Sequence, residues 1–140
     1  MTRYSLEISQ RPTRGSALYD NDHWSAIRML REPLIVKCYP LDSQGGVIKR
    51  HIVEHVRTLC AHVFATTTDG TIVDHQLVGN RRVCADIVQE LDESESAYFY
   101  FANLSMRRSG YYHLLVRVYK GNDCAQSVAS ICTETVYIDP

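Results

Sequence analysis

The sequence predicts an all-β sandwich, one domain spanning residues 1–140 with long loops and at most one short helix. Three observations carry that expectation. Apolar and polar residues alternate with a period of two along most candidate segments, the pattern of strands with one buried face. Turn signals separate those segments: Asp69-Gly70, the polar run Arg107 to Gly110, and Gly121-Asn122-Asp123. No stretch longer than a few residues holds a convincing 3.6 period.

Taken in order, Tyr4, Leu6 and Ile8 alternate with Ser5, Glu7 and Ser9 and predict a first strand that stops near Pro12. Leu34 to Tyr39 is a second apolar run, closed by Pro40, which cannot donate to a ladder. Leu59, Ala61, Val63 and Ala65 alternate with Cys60, His62 and Phe64 up to the Asp69-Gly70 turn. Tyr98 to Phe101 is aromatic and strongly β-forming. Tyr112, Leu114, Val116 and Val118 alternate with His113, Leu115, Arg117 and Tyr119, and Ser127 to Ile138 reads as one last strand. The best helical candidate is Val47 to Leu59, weakened by its β-branched residues. About seven short strands with turns between them describe an immunoglobulin-like sandwich. Two long connections remain, Arg11 to Glu32 and Leu41 to Arg57; loops of that length are commonly functional.

Composition bounds the function. The 15 Lys and Arg nearly balance the 16 Asp and Glu, a net charge of −1, so no whole-molecule field draws the chain to nucleic acid or an anionic membrane. Any nucleic-acid contact must come from a local basic face. The stretch from Met1-Thr2-Arg3-Tyr4 has no apolar signal region, and no apolar run approaches the ~20 residues of a membrane-spanning helix. The five cysteines (Cys38, Cys60, Cys84, Cys124, Cys132) are odd in number and widely spaced, which predicts reduced, mostly buried thiols, small hydrophobes of the core in a nuclear and cytoplasmic protein.

Motifs for chemistry are missing. There is no G-x-S-x-G, no glycine-paired phosphate loop and no H-E-x-x-H, so the expectation is a non-enzyme without cofactor, metal or small-molecule substrate. His51 and His55 are four apart but lack further ligands at matching spacing; His62 and His113 fall in strands. Asp92, Glu93 and Glu95 read as a solvated turn, and the Asn103-Leu104-Ser105 sequon needs a secretory route that nothing suggests. The arginines are more informative. Arg11 and Arg14 follow the first strand, Arg28 and Arg31 precede the second, and Arg81-Arg82 and Arg107-Arg108 are doublets at turns. They are either scattered surface residues paired with acids or, since sandwich loops gather at one end, a single phosphate-binding patch.

Tyr4 to Arg14 resembles the opening of fungal velvet domains, with a tyrosine, a leucine, then glutamine, proline and arginine at this spacing. Pro33-Leu34-Ile35-Val36-Lys37 resembles the family's approach to its next strand, and Leu77-Val78-Gly79 its L-x-G. The longest likeness runs from Tyr98 to Leu114, similar to the family's aromatic strand, its D-L-S-V-R-x-x-G turn and the strand that follows. These matches are collinear over nearly the whole chain. The resemblance implies a Rel-like immunoglobulin sandwich that forms a homodimer, or a heterodimer with another velvet protein. It further implies binding of double-stranded DNA in the nucleus, in the control of fungal development and secondary metabolism. On that basis Arg11, Arg14, Arg28, Arg31 and Lys37 are the expected DNA contacts, with Arg107 and Arg108 next.

Departures point another way. The first long loop carries Asp20 and Asp22, one arginine of the family's doublet (Arg28) and a single proline, Pro33; Asn103 replaces the family's aspartate. Each missing cation leaves one phosphate without a partner. The alternative is therefore a protein-interaction module that has lost DNA binding and acts through a velvet partner. A secreted, adhesive immunoglobulin-like domain is a third reading, which disulfides would favour.

Overall fold

The computed structural model describes residues 2–18, 29–121 and 126–140. Its strands are β1 (Arg3–Gln10), β2 (Arg14–Ser16), β3 (Leu34–Leu41), β4 (Leu59–Thr67), β5 (Leu77–Val78) and β6 (Arg82–Cys84). They continue as β7 (Asp86–Gln89), β8 (Glu95–Phe101), β9 (Ser105–Met106), β10 (Gly110–Lys120), β11 (Ser127–Cys132) and β12 (Val136–Asp139). One helical turn, α1 (Val53–Val56), and a 3-10 turn at Asp74–Gln76 complete the described elements.

One main sheet runs β1-β3-β8-β7, and the other β2-β12-β10-β4-β6, with β11 also on β10; β5 and β9 pair as a small third. Lettered as an immunoglobulin sandwich, these are A-B-E-D facing G-F-C-C′. The short β2 lies parallel to β12, the last strand. All-β sandwich is thus the fold, as the alternation predicts. The layers close over the residues that the period-two pattern selects. Leu34, Val36 and Cys38 of β3 and Ala97, Phe99 and Phe101 of β8 face Leu59, Ala61, Val63 and Ala65 of β4, all buried. Tyr112, Leu114, Val116 and Val118 of β10 complete the opposite wall. On β1 the inward Tyr4, Leu6 and Ile8 are only half-buried, as befits an edge strand.

Three local expectations are corrected. Proline does not close β3: the strand passes through Pro40, which pairs with Tyr4 of β1. Its carbonyl accepts from Ile48 N (2.9 Å), so the missing N–H faces that same side, where pairing with β8 has ended at Cys38–Ala97. No ladder bond is lost. The last strand is two strands. At Thr133 the hydroxyl accepts the Leu114 N–H (2.9 Å), replacing a ladder carbonyl, so β11 and β12 dock on β10 as separate pieces. The helical candidate Val47 to Leu59 shrinks to α1, whose N-cap Ile52 offers no side-chain cap. Ile52 N–H is satisfied instead by Glu95 Oε1 at 3.1 Å. His51 stands outside that turn with φ +52 and His55 bonds Thr2, so the two imidazoles share no helical face. The predicted turn Gly121-Asn122-Asp123 falls largely outside the described residues, as do Arg28 and Cys124.

Candidate nucleic-acid interface

Backbone hydrogen bonds lace one end of the sandwich from four directions. Leu18 N donates to Met106 O and Leu30 N to Leu104 O, each at 2.8 Å, joining the β2–β3 connection to the β8–β10 connection. Arg107 N donates to Gln76 O (2.9 Å), bringing in the 3-10 turn of the β4–β6 connection. Ala17 N donates to Asp139 O (2.8 Å), adding the end of β12. Gly79 and Asn103 are the tightest approach. Gly79 has φ +122, and a Cβ there would meet the Asn103 carbonyl. Asn103 itself has φ +60, a conformation asparagine tolerates better than most residues.

Tyr112 fixes the shape of the β9–β10 turn from within the core. Its ring is buried and its hydroxyl donates to Arg108 O at 3.1 Å. A tyrosine at the start of strand F bonding backward to the chain is the tyrosine corner of immunoglobulin-like sandwiches. The disulfide of antibody domains has no counterpart among the described residues. The expectation of mostly buried cysteines is corrected: of the described four only Cys38 is buried, its pKa pushed up to about 12 by burial, while Cys60 is half-buried and Cys84 and Cys132 are exposed because they fall at outward strand positions.

Charges converge on this loop end. Arg14 grips Asp139 with both prongs, Nε to Oδ2 at 3.0 Å and Nη2 to Oδ1 at 3.1 Å, and its Cζ lies 5.5 Å from the Tyr137 ring centre. Hydrogen bonding from Arg14, then its charge, holds the Asp139 carboxyl below the usual range, and Arg31 adds to that field. Arg31 is exposed, and its N–H bonds Arg14 O at 3.0 Å. Arg81 donates to Asp74 O at 3.0 Å and pairs with the Asp74 carboxylate. Arg107 and Arg81 border an open depression of about 570 Å³ with Asp74, His75 and Gly79. Arg108 is exposed beside them.

The expected contacts therefore divide. Arg14, Arg31, Arg107 and Arg108 come to one end, joined by Arg81. Arg28 lies in the same connection but outside the described residues. Arg11 sits partway up the edge, bound to Glu134 (3.0 Å) and Thr135 O (3.3 Å) at the β11–β12 junction. Lys37 is elsewhere, on the outer face of the β1-β3-β8-β7 sheet, with Nζ 5.0 Å from the Tyr39 ring and 5.7 Å from Tyr98. Sequence reasoning missed Tyr111 and Tyr137. They face each other across β10 and β12 with ring centres 4.9 Å apart, and Tyr111 is 61% exposed. Each occupies an outward position of its strand, but only the register brings them together.

No family model matches the chain, and no curated protein matches it either. Among the described residues no cluster of three or more His, Cys, Asp or Glu could hold a metal, and no helix is long and apolar enough to cross a membrane. Fold and site together define an immunoglobulin-like sandwich with an arginine-bearing loop end. Such guanidinium groups, with the exposed Tyr111 and the half-buried Tyr137 beside Arg14, suit contacts to phosphate or guanine.

Proposed function

We propose that the protein is a velvet-type regulator that binds duplex DNA through the loop end and works as a dimer, alone or with another velvet protein. The observation that carries this is the meeting of Arg14, Arg31, Arg81, Arg107 and Arg108 from separate connections at one end of a near-neutral molecule. The collinear velvet likeness supplies the setting: nuclear and cytoplasmic residence and the control of fungal development and secondary metabolism. Duplex binding across a salt series tests it. Replacing Arg31 and Arg107 by alanine should flatten the slope of log affinity against log salt by roughly 0.9 for each phosphate no longer neutralised. A slope equal to wild type rules those two out as phosphate contacts.

A second reading is favoured by the ion pairs Arg14–Asp139, Arg81–Asp74 and Arg11–Glu134, which already neutralise part of the basic set. On that reading the chain is an interaction module that reaches DNA only through a velvet partner. It predicts a stable heterodimer and no duplex binding by the isolated chain at moderate salt. Oligomeric state measured on the same sample separates the two.

A further inference from the structure

We infer that Cys60 and Cys84 form a reversible cross-strand dithiol, an oxidation site on the outer face of the β2-β12-β10-β4-β6 sheet. The strands β4 and β6 pair antiparallel with Cys60 opposite Cys84 and His62 opposite Arg82. The bond from Val63 N to Arg81 O (2.9 Å) makes Val63–Arg81 a hydrogen-bonded pair. Pair types alternate along an antiparallel ladder, so Cys60–Cys84 is a non-bonded pair, the closer kind, with Cα atoms about 4.5 Å apart. That falls inside the roughly 4.4–6.8 Å that a disulfide bridges. Residues directly opposite project from the same face, so the two sulfurs need no strand to slide. Both thiols are free, Cys84 exposed and Cys60 half-buried.

A cation stands ready beside them. Arg82 Nε donates to Cys60 Sγ at 2.9 Å, which sets a guanidinium against that sulfur. The oxidant is hydrogen peroxide. Cys60 loses its proton to solvent and its sulfur attacks one peroxide oxygen; the O–O bond breaks, leaving a sulfenic acid and, with one proton, water. The Cys84 sulfur then attacks the sulfenic sulfur, the S–O bond breaks, and hydroxide leaves to become a second water. Two thiols are oxidised to one disulfide and one peroxide is reduced to two waters. Other cysteines provide internal controls: Cys132 is exposed but faces Leu115 across its ladder, and Cys38 is buried.

The bond would close the chain from Cys60 to Cys84 into a covalent loop that contains Arg81 and the 3-10 turn. The test uses the full chain treated with stoichiometric hydrogen peroxide, alkylated, digested and mapped by mass spectrometry. The expected product joins the Cys60 and Cys84 peptides with a mass lower by two hydrogens, is undone by dithiothreitol, and leaves Cys132 alkylated. Arg82→Gln should slow its formation by roughly threefold or more. Cys84→Ser should instead leave a sulfenic acid at Cys60 that dimedone traps. Alkylation of Cys60 and Cys84 to the same extent as Cys132 after peroxide would overturn the inference, as would a bridge from either to Cys132 or Cys124. The readout is chemical and stands apart from nucleic-acid binding.

Discussion

The two ends of the sandwich hold their carboxylates in different ways. At the loop end, Arg14, Arg31, Arg81, Arg107 and Arg108 stand with Glu32, Asp69, Asp74 and Asp139, and two of those acids are in ion pairs, Asp139 with Arg14 and Asp74 with Arg81. At the far end, Asp42, Glu54, Glu90, Asp92, Glu93 and Glu95 stand with Arg3, Lys49, Arg50, Arg57 and Lys120, and Asp42, Asp92 and Glu95 accept from the backbone N–H groups of Gly46, Ser94 and Ile52. That end is tied by Glu95 N to Lys49 O (2.7 Å), Gly121 N to Thr58 O and Tyr4 Oη to His55 O (both 2.5 Å). A net charge of −1 is therefore spread over both ends, and what sets the loop end apart is guanidinium bound to carboxylate.

The sharpest way to break this contrast is to prise the loop end apart. Gly79→Ala forces a side chain onto a φ of +122 and against Asn103 C at 3.0 Å and Leu104 Cα at 3.2 Å. It should cost about 3 kcal/mol or more, read by urea denaturation. Gly45→Ala at the far end has φ +85 but nothing within 4 Å, and should cost about 1 kcal/mol. Equal losses would mean that the loop end is not held by that close approach.

Binding tests come next in size. Arg31→Ala with Arg107→Ala should weaken duplex affinity by about tenfold at low salt, and Lys49→Ala with Arg50→Ala by less than about twofold. Matching losses would show that binding is not confined to the loop end.

The smallest effect is the most diagnostic. Asp139 and Asp92, one at each end, both lie below the usual 3.8, but for different reasons. Arg14 lowers Asp139 by a charge-assisted hydrogen bond and by its charge; Ser94 lowers Asp92 through its hydroxyl and N–H. Either carboxylate adds stability that is present above 3.8 and is lost as pH falls through its lower folded value. Salt near 1 M screens charge more than it breaks neutral hydrogen bonds. In carbon-detected NMR titrations, Asp139 should rise toward 3.8 in that salt or in Arg14→Ala, while Asp92, on which the Lys49 charge is the smallest cause, moves less in salt and not at all in Arg14→Ala. If both move together, the loop end is no more ionic than the other.

Long strands were legible because burial imposes its period on them. Leu59, Ala61, Val63 and Ala65 are each fully buried, in the parity the alternation predicts. The short strands were not. β7 is exposed along Asp86–Gln89 and β5 and β9 are two residues each, too little chain for any period. Of the candidate site, the arginines could be picked out by type and position near turns, but their grouping depends on topology. Lys37 shows the limit: adjacent in sequence to the first long connection, it alternates outward onto the other sheet. Arg14 and Arg81 show another, since which acid each would meet is a matter of register and loop path.

Tyr112 has a last consequence. By holding the carbonyl of Arg108 and not its guanidinium, the corner anchors the turn through an atom that every amino acid possesses. The platform and what it displays are thereby uncoupled: side chains at 107 and 108 can be exchanged to suit another ligand while the bend that presents them persists.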